Sequence, residues 1–427
     1  MRILDKEIQK YIQIIREKIH KSYKGMFREA GKVFKYPFLT PGSEQYADVL
    51  WDWDSWLSNV ALRQTLLEIG DEDEKKRAIQ YERGCILNYL AWGTMEGYIP
   101  MVVGRGEDTE YVPPKDIYGT NMHKPVLAQH AAFLTKLADG DAEWLREKFY
   151  RLMTFINKYR NHQRNLKTGL YYWVDDYAIG VDNDPCTFFR PKNSSGSIYL
   201  NCLMYKELLA LVYLCDCLNL NEIGEEYQKD ADDLKAAILK NCYDERDGFF
   251  YSVDLNLLPN ENITALHNGQ PRDWDCLIMR IGVWSGFMAL WAGVATDEQA
   301  ERVVKEHYLN EKTFNAPFGV RTLSKMEKMY NLRGSGNPSS WLGPIWGVSN
   351  YLTFRGLIKY GYVKEASELA EKTIRLFGRD FERFGGLHEY YQPENGEPIL
   401  NTGFQNWNFL VLNMAAYLEE KEYVEEF

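Results

Sequence analysis

Apolar residues recur along the chain at the three-to-four-residue spacing of helices, in two distinct distributions. Six segments are apolar nearly all round: Trp56 to Ile69, Val126 to Leu137, Ile198 to Leu218, Leu277 to Trp291, Ile345 to Leu357 and Phe404 to Leu418. Others, such as Asp71 to Trp92 and Lys364 to Leu376, are charged along one face and apolar along the other. A helix that is apolar on every side is buried, and a one-sided helix faces solvent. The two kinds alternate. Short turns with helix stop-and-start residues lead from a buried helix to an exposed one: Gly70-Asp71, Gly140-Asp141, Asn219-Leu220-Asn221, Gly361-Tyr362, and Gly293 before Thr296-Asp297-Glu298-Gln299, a capping-box sequence.

Leading back to the buried helices are long segments rich in Gly, Pro, Asp and aromatics, over 23–53, 95–123, 163–196, 244–274, 309–343 and 379–402. Loops of that length are uncommon in a compact fold and usually carry function. About twelve helices in six hairpins, at a mean spacing of about seventy residues, describe a repeat architecture. The expected class is all-α: six inner helices ringed by six outer ones in a double-layered barrel, with every long loop on one rim. An open helical solenoid shares the alternation, but its repeats are shorter and its loops more uniform. Composition does not shift along the chain, so residues 1–427 are read as one domain.

Composition narrows the chemistry. Of 427 residues, 45% are hydrophobic and 14% aromatic, including 12 Trp, 29 Tyr and 20 Phe. A net charge of −11 argues against nucleic acid, which requires a basic face. No window approaches a membrane span, and the first residues lack a secretion signal and read as an amphipathic helix, so the cytoplasm is the expected location. The seven cysteines show no CxxC pair or zinc-like spacing with histidine, so neither a disulfide frame, a metal site nor a cofactor is expected. Asn262-Ile263-Thr264 fits a glycosylation sequon and is read as chance. No exposed apolar stripe fixes an oligomeric state.

The long loops hold the candidate chemistry. Asp48-Val49-Leu50-Trp51-Asp52-Trp53-Asp54-Ser55-Trp56 packs three tryptophans and three carboxylates into nine residues. Indole faces cover the C–H face of a pyranose while carboxylates accept from hydroxyls. Asp54 could equally cap the helix that follows. The third loop carries Tyr171-Tyr172-Trp173 and Gly180-Val181-Asp182-Asn183-Asp184-Pro185, which also reads as an acidic surface turn. The fifth carries Trp341-Leu342-Gly343-Pro344-Ile345-Trp346, and the sixth Gly386-Leu387-His388-Glu389-Tyr390-Tyr391-Gln392-Pro393.

In that order, and followed by Asn350-Tyr351-Leu352 after the fifth loop, these motifs resemble glycoside hydrolase family 63 and the related trehalases, over roughly Trp51 to Phe409. The resemblance implies an (α/α)6 barrel and an inverting α-glycosidase. It implies Asp182 as general acid, Glu389 as general base, and Trp53 and Asp54 as ligands of the sugar that is cleaved off. Inversion needs a protonated carboxyl at the leaving oxygen and an ionised one holding water on the opposite face, about 6.5–9.5 Å apart. Tyr171, Tyr172 and Trp173 are expected to supply an apolar wall, and Asp184 a like charge, that keep Asp182 protonated.

The candidate substrate-binding set is Trp51, Trp53, Asp54, His123, Lys124, Trp173, Gly180, Asn183, Trp341, Trp346, Tyr390 and Trp407. Three departures from the family pattern stand out: Asp184 where Ser is common, Leu342 where Arg is common, and Asn121-Met122-His123-Lys124-Pro125 where Gln-Pro-Pro is common. Short members resembling this length act on mannosyl- or glucosylglycerate. Lys124 is therefore read either as a helix-start residue or as a rim cation that receives a carboxylate-bearing leaving group. A small α-glucoside or α-mannoside is the expected partner. Two other readings fit the same barrel. A sugar epimerase would draw an acid–base pair from His123, His267 and His388. A non-catalytic sugar-binding protein would make no demand on Asp182 or Glu389. The acidic end, Glu422 to Phe427, is read as frayed and solvated.

Overall fold

The computed structural model describes residues 4–42, 46–104, 112–258, 272–333 and 339–427. The sequon at Asn262 and the loop residue His267 lie outside the described residues. The chain opens with α1 (Lys6–Ser22), whose Ile8, Tyr11, Ile12, Ile15 and Ile19 form one buried face, as its amphipathic pattern requires. Then α2 (Asp52–Ile69), α4 (Leu127–Leu137), α6 (Ile198–Cys217), α8 (Met288–Ala292), α10 (Gly347–Lys359) and α12 (Val411–Leu418) form the inner layer. Each packs on the next and α12 returns to α2, so the ring closes and the solenoid is excluded. Between them lie the outer helices α3 (Glu72–Trp92), α5 (Phe149–His162), α7 (Asn221–Asn241), α9 (Asp297–Arg302) and α11 (Val363–Phe384), with α1 packed against α11.

The punctuation residues act as their chemistry dictates. Gly70 takes the left-handed conformation at φ 72° and donates to the Leu66 carbonyl, while Asp71 accepts the amides of Asp73 and Glu74. Thr296 and Gln299 form the reciprocal capping box of α9, which continues into a wider π-type turn over Val303–Tyr308. The start of α4 has no cap of its own; buried Glu207 of α6 accepts the amides of Ala128 at 2.7 Å and Gln129 at 3.0 Å instead. α6 alone is long and apolar enough to resemble a membrane span among the described residues, yet most of it is buried inside the barrel.

Two expected elements are corrected. Leu277 to Trp291 is not one helix: Leu277–Ile278 is a strand, Trp284–Phe287 a tight 3-10 turn, and only Met288–Ala292 is α-helical. That stretch is apolar because it is buried, and burial alone does not select a helix over an extended segment. The last long loop begins later than read, because α11 runs to Phe384 before Gly385 ends it at φ 76°.

Short antiparallel pairings stitch the loops together on the rim at the N-terminal ends of the inner helices. Leu50–Trp51 pairs with Val102–Val103, Ser195–Gly196 with Val253–Asp254, and Ile345–Trp346 with Tyr390–Tyr391. Loops distant in sequence thereby become one surface.

The opposite end is closed. Val424 donates to Gln64 of α2 and accepts from Asn413 of α12. Glu426, its side chain 4% exposed, accepts from Trp291 at the end of α8 and from Tyr351 and Arg355 of α10. Phe427 lies under Lys136 of α4 and against Tyr213 of α6. The acidic end is therefore packed rather than frayed, because its carboxylate finds a guanidinium and two other donors inside.

Candidate active site

On the loop-bearing rim the barrel opens into a hollow of about 370 Å3, within the range of small-ligand sites. Its lining draws on all the loop pairs: Tyr46, Trp51, Trp53 and Asp54; Lys124; Asp176, Gly180 and Asp182; Trp346; Glu389, Asn401 and Trp407. Asp182 and Glu389, far apart in sequence, face this one space.

The walls are aromatic. Trp346 stacks on Tyr390 at 4.7 Å and on Trp341 at 4.4 Å, and Trp341 continues the stack to Trp284 at 5.8 Å. Trp407 meets Trp53 edge-on at 5.1 Å. The indole N–H of Trp407 is buried without a partner.

The acids sit in contrasting surroundings. Glu389 accepts from the Tyr46 hydroxyl at 3.3 Å and from the Asn401 amide. Burial pushes its carboxyl up to about 7; those two bonds oppose the shift and the charge of Asp182 adds to it. The bend bearing Glu389, just ahead of the Tyr390–Tyr391 strand, is clamped from behind. Buried Asp380 accepts from the His388 amide and ring at 3.0 and 2.9 Å and from the Tyr391 hydroxyl at 2.7 Å. Asp54 accepts from Asn406, whose own oxygen is held by Ser58 and the Trp407 amide. Burial, reinforced by Asp52, lifts Asp54 to about 7. Asp182 is half-buried, with Asp176 on the same wall. Burial and then the charge of Asp182 raise Asp176 to about 7, and its Oδ1 has no donor.

Lys124 lines the hollow but is not a free rim cation. Its ammonium bonds both oxygens of Asp52, at 2.8 and 3.0 Å, and lies 5.4 Å from the Trp53 ring centre. The loop carrying Asp182 crosses directly above it at Gly180, φ 86°, where a Cβ would stand 2.5 Å from the Lys124 Cε. Only glycine permits that approach.

Of the residues read from sequence, Trp51, Trp53, Asp54, Lys124, Gly180, Asp182, Trp346, Glu389 and Trp407 reach the hollow. Five others do not. The His123 ring turns inward, its Nδ1 on the Lys124 carbonyl and its face against Tyr89, and burial lowers it to about 4. Trp173 is buried beside Tyr199, and Trp341 and Tyr390 are inner layers of the indole stack. Asn183 holds the Trp341 amide at 3.0 Å. These are supports: His123, Asn183 and Tyr390 adjoin Lys124, Asp182 and Glu389, which take the inward face, while Trp173 and Trp341 pack behind the lining. The wall expected from Tyr171, Tyr172 and Trp173 does not form, since none of the three lines the hollow and Tyr172 donates to the His162 carbonyl at 2.8 Å, and Asp184 turns to the Cys186 amide at 2.8 Å. The like charge beside Asp182 comes from Asp176. No histidine lines the hollow among the described residues, which leaves the epimerase reading without its acid–base pair.

Sequence reasoning missed Asp52, Asp176, Tyr46, Asn401, Asn406 and Asp380. Asp52 had a signal, an acid beside Trp53 in a chain whose second loop offers a lysine; the asparagines had none. Among the described residues no group of His, Cys, Asp or Glu is arranged to hold a metal ion.

Comparison with known proteins gives a consistent picture. The profile of the mannosylglycerate hydrolase MGH1-like glycoside hydrolase domain matches residues 47–408. Mannosylglycerate hydrolase MGH1 of Selaginella moellendorffii is 23% identical over 81% of this chain and 76% of its own length. The GH63 mannosylglycerate hydrolase of Thermus thermophilus, solved with glucose, aligns with TM-score 0.67 and 20% identity over 93% of this chain and 99% of that one. A second structure of that Thermus protein holds Tris and D-glycerate. Neutral trehalase Nth1 of Saccharomyces cerevisiae aligns with TM-score 0.61 and 17% identity over 90% of this chain and 76% of that one. The neighbours share the (α/α)6 barrel. The chain belongs to the MGH1-like glycoside hydrolase family and is a glycoside hydrolase.

Proposed function

We propose that the protein hydrolyses a small α-glucoside or α-mannoside with inversion, Asp182 acting as general acid and Glu389 as general base. The observation that carries this is two carboxyls from separate loops, in unlike surroundings, on one indole-walled hollow. Water held by Glu389 attacks the anomeric carbon as the glycosidic C–O bond breaks. Glu389 takes the water proton, and the proton of Asp182 passes to the leaving oxygen. The Tyr46 and Asn401 donors favour the ionised form of Glu389 that such a base requires. Trp53 and Trp407 offer faces to the sugar ring, and Asp54 offers its hydroxyls an acceptor.

The test is a panel of α-glucosides and α-mannosides with NMR detection of the first product anomer. A β anomer from an α substrate supports the proposal; an α anomer overturns it. Asp182→Asn and Glu389→Gln are each expected to lose roughly 10^2–10^4-fold in kcat while still binding substrate. Unchanged turnover in either variant removes that residue from its role.

A further inference from the structure

We propose that Asp380, on the outer helix α11, is the positioning residue for Glu389: it fixes the bend from which that carboxylate reaches the hollow. The proposal rests on the hydrolase reading of the site and adds what holds the base in place.

Asp380 is 3% exposed, and three donors converge on its carboxylate: the His388 amide at 3.0 Å, His388 Nδ1 at 2.9 Å and the Tyr391 hydroxyl at 2.7 Å. With both Asp380 oxygens on it, Nδ1 carries the ring proton. One side chain thus grips residues 388 and 391, on either side of Glu389, which takes the opposite face toward the hollow. Asn408, in the turn leading into α12, holds the His388 carbonyl at 2.8 Å. The Glu389 amide donates to the Leu400 carbonyl at 3.0 Å, but Leu400 belongs to the same hairpin and gives no outside reference. Asp380 does, because it stands on a helix backed by α1, whose Tyr11 ring packs over Gly378.

The residue type supports the same role. Among the described residues no lysine or arginine pairs with Asp380; its ion-pair partner is His388. A buried carboxylate in such a pair adds little net stability. It does suit three converging donors, where an amide would offer one oxygen and turn N–H groups against the rest. What the arrangement secures is the placement of residue 389, and a reacting group displaced by about 1 Å loses about 10^2-fold in rate.

The experiment is a double-mutant cycle on kcat per folded molecule, the folded fraction being read by near-UV circular dichroism. The substrate is the best-cleaved member of the α-glucoside and α-mannoside panel. Asp380→Asn is expected to lower kcat by roughly tenfold or more and to leave KM within about twofold, because the sugar-facing Trp53, Asp54 and Trp407 stand on other loops. In the Glu389→Gln background the same change should cost less than about twofold more, since Asp380 acts through Glu389. Tyr391→Phe removes one of the bonds and no buried charge; it should show the same pattern at a smaller loss, and it decides the matter if Asp380→Asn does not fold. A smaller loss for Asp380→Asn, a KM that rises in step, or losses that multiply in the double variant overturns the proposal. Failure of the hydrolase reading shows itself separately: the parent cleaves no member of the panel, or Glu389→Gln keeps full turnover. Crystal structures of the parent and Asp380→Asn then decide the placement, a displaced Glu389 carboxyl upholding it and superposed carboxyls overturning it.

Discussion

The Lys124 ammonium spans both carboxylate oxygens of Asp52, with its backbone amide on the same carboxylate at 3.0 Å. The lysine therefore holds the start of α4 against the start of α2 rather than waiting at the rim for an anion. Lys124→Ala leaves Asp52 buried and unpaired, a loss on the order of 3–5 kcal/mol in urea unfolding. Lys124→Met with Asp52→Asn removes both charges and should recover most of it. Parity between the single and double variants would show that the pairing does not stabilise the fold.

As the proposed general base, Glu389 is expected to set the acid limb of the pH profile. Its carboxyl is pushed up to about 7, so kcat/KM should fall as pH drops through that region and the base becomes protonated. Tyr46→Phe removes a bond to the ionised form. The acid limb should then move to higher pH, by up to about one unit. A pH–rate series on both proteins checks the direction; a limb that stays put or moves down contradicts it.

Gly180→Ala tests the roof over Lys124. At φ 86° an alanine carries strain of about 1–2 kcal/mol, and its methyl would press on the lysine stem. The loop must lift, taking Asp182 with it. A displacement of that order should lower kcat/KM by about 10^2-fold with lesser change in melting temperature.

The double layer was legible in the sequence because a helix buried all round and a helix wet on one side leave different marks in the same periodicity. The paired acids were legible as members of ordered motifs. What surrounds them was not. Asn401, Asn406 and Asp380 reach Glu389, Asp54 and His388 only through tertiary contacts, and a lone asparagine carries no period. His123 and Trp173 show the converse error. His123 adjoins Lys124 at the hollow but turns the other way, and Trp173 packs on Tyr199 three residues before Asp176 reaches the lining. Leu277 to Trp291 failed for a third reason, since two buried conformations share one apolar composition.

Glu426 sets acid stability. Its carboxyl is lowered to about 2, with Arg355 and the Tyr351 hydroxyl prevailing over burial. The stability it adds is complete above its ordinary range near 4.5 and is lost as pH falls toward about 2. Glu426→Gln should melt lower at neutral pH, since Arg355 loses its buried partner, and its melting temperature should depend less on acid than that of the parent. Parallel curves for the two proteins would exclude this role.

The same segment decides the traffic of molecules. By touching all six inner helices, Val424 to Phe427 turns a cylinder into a cup. A vessel with one doorway admits and releases its contents on the same side. Under the proposed roles both products of hydrolysis leave by that doorway.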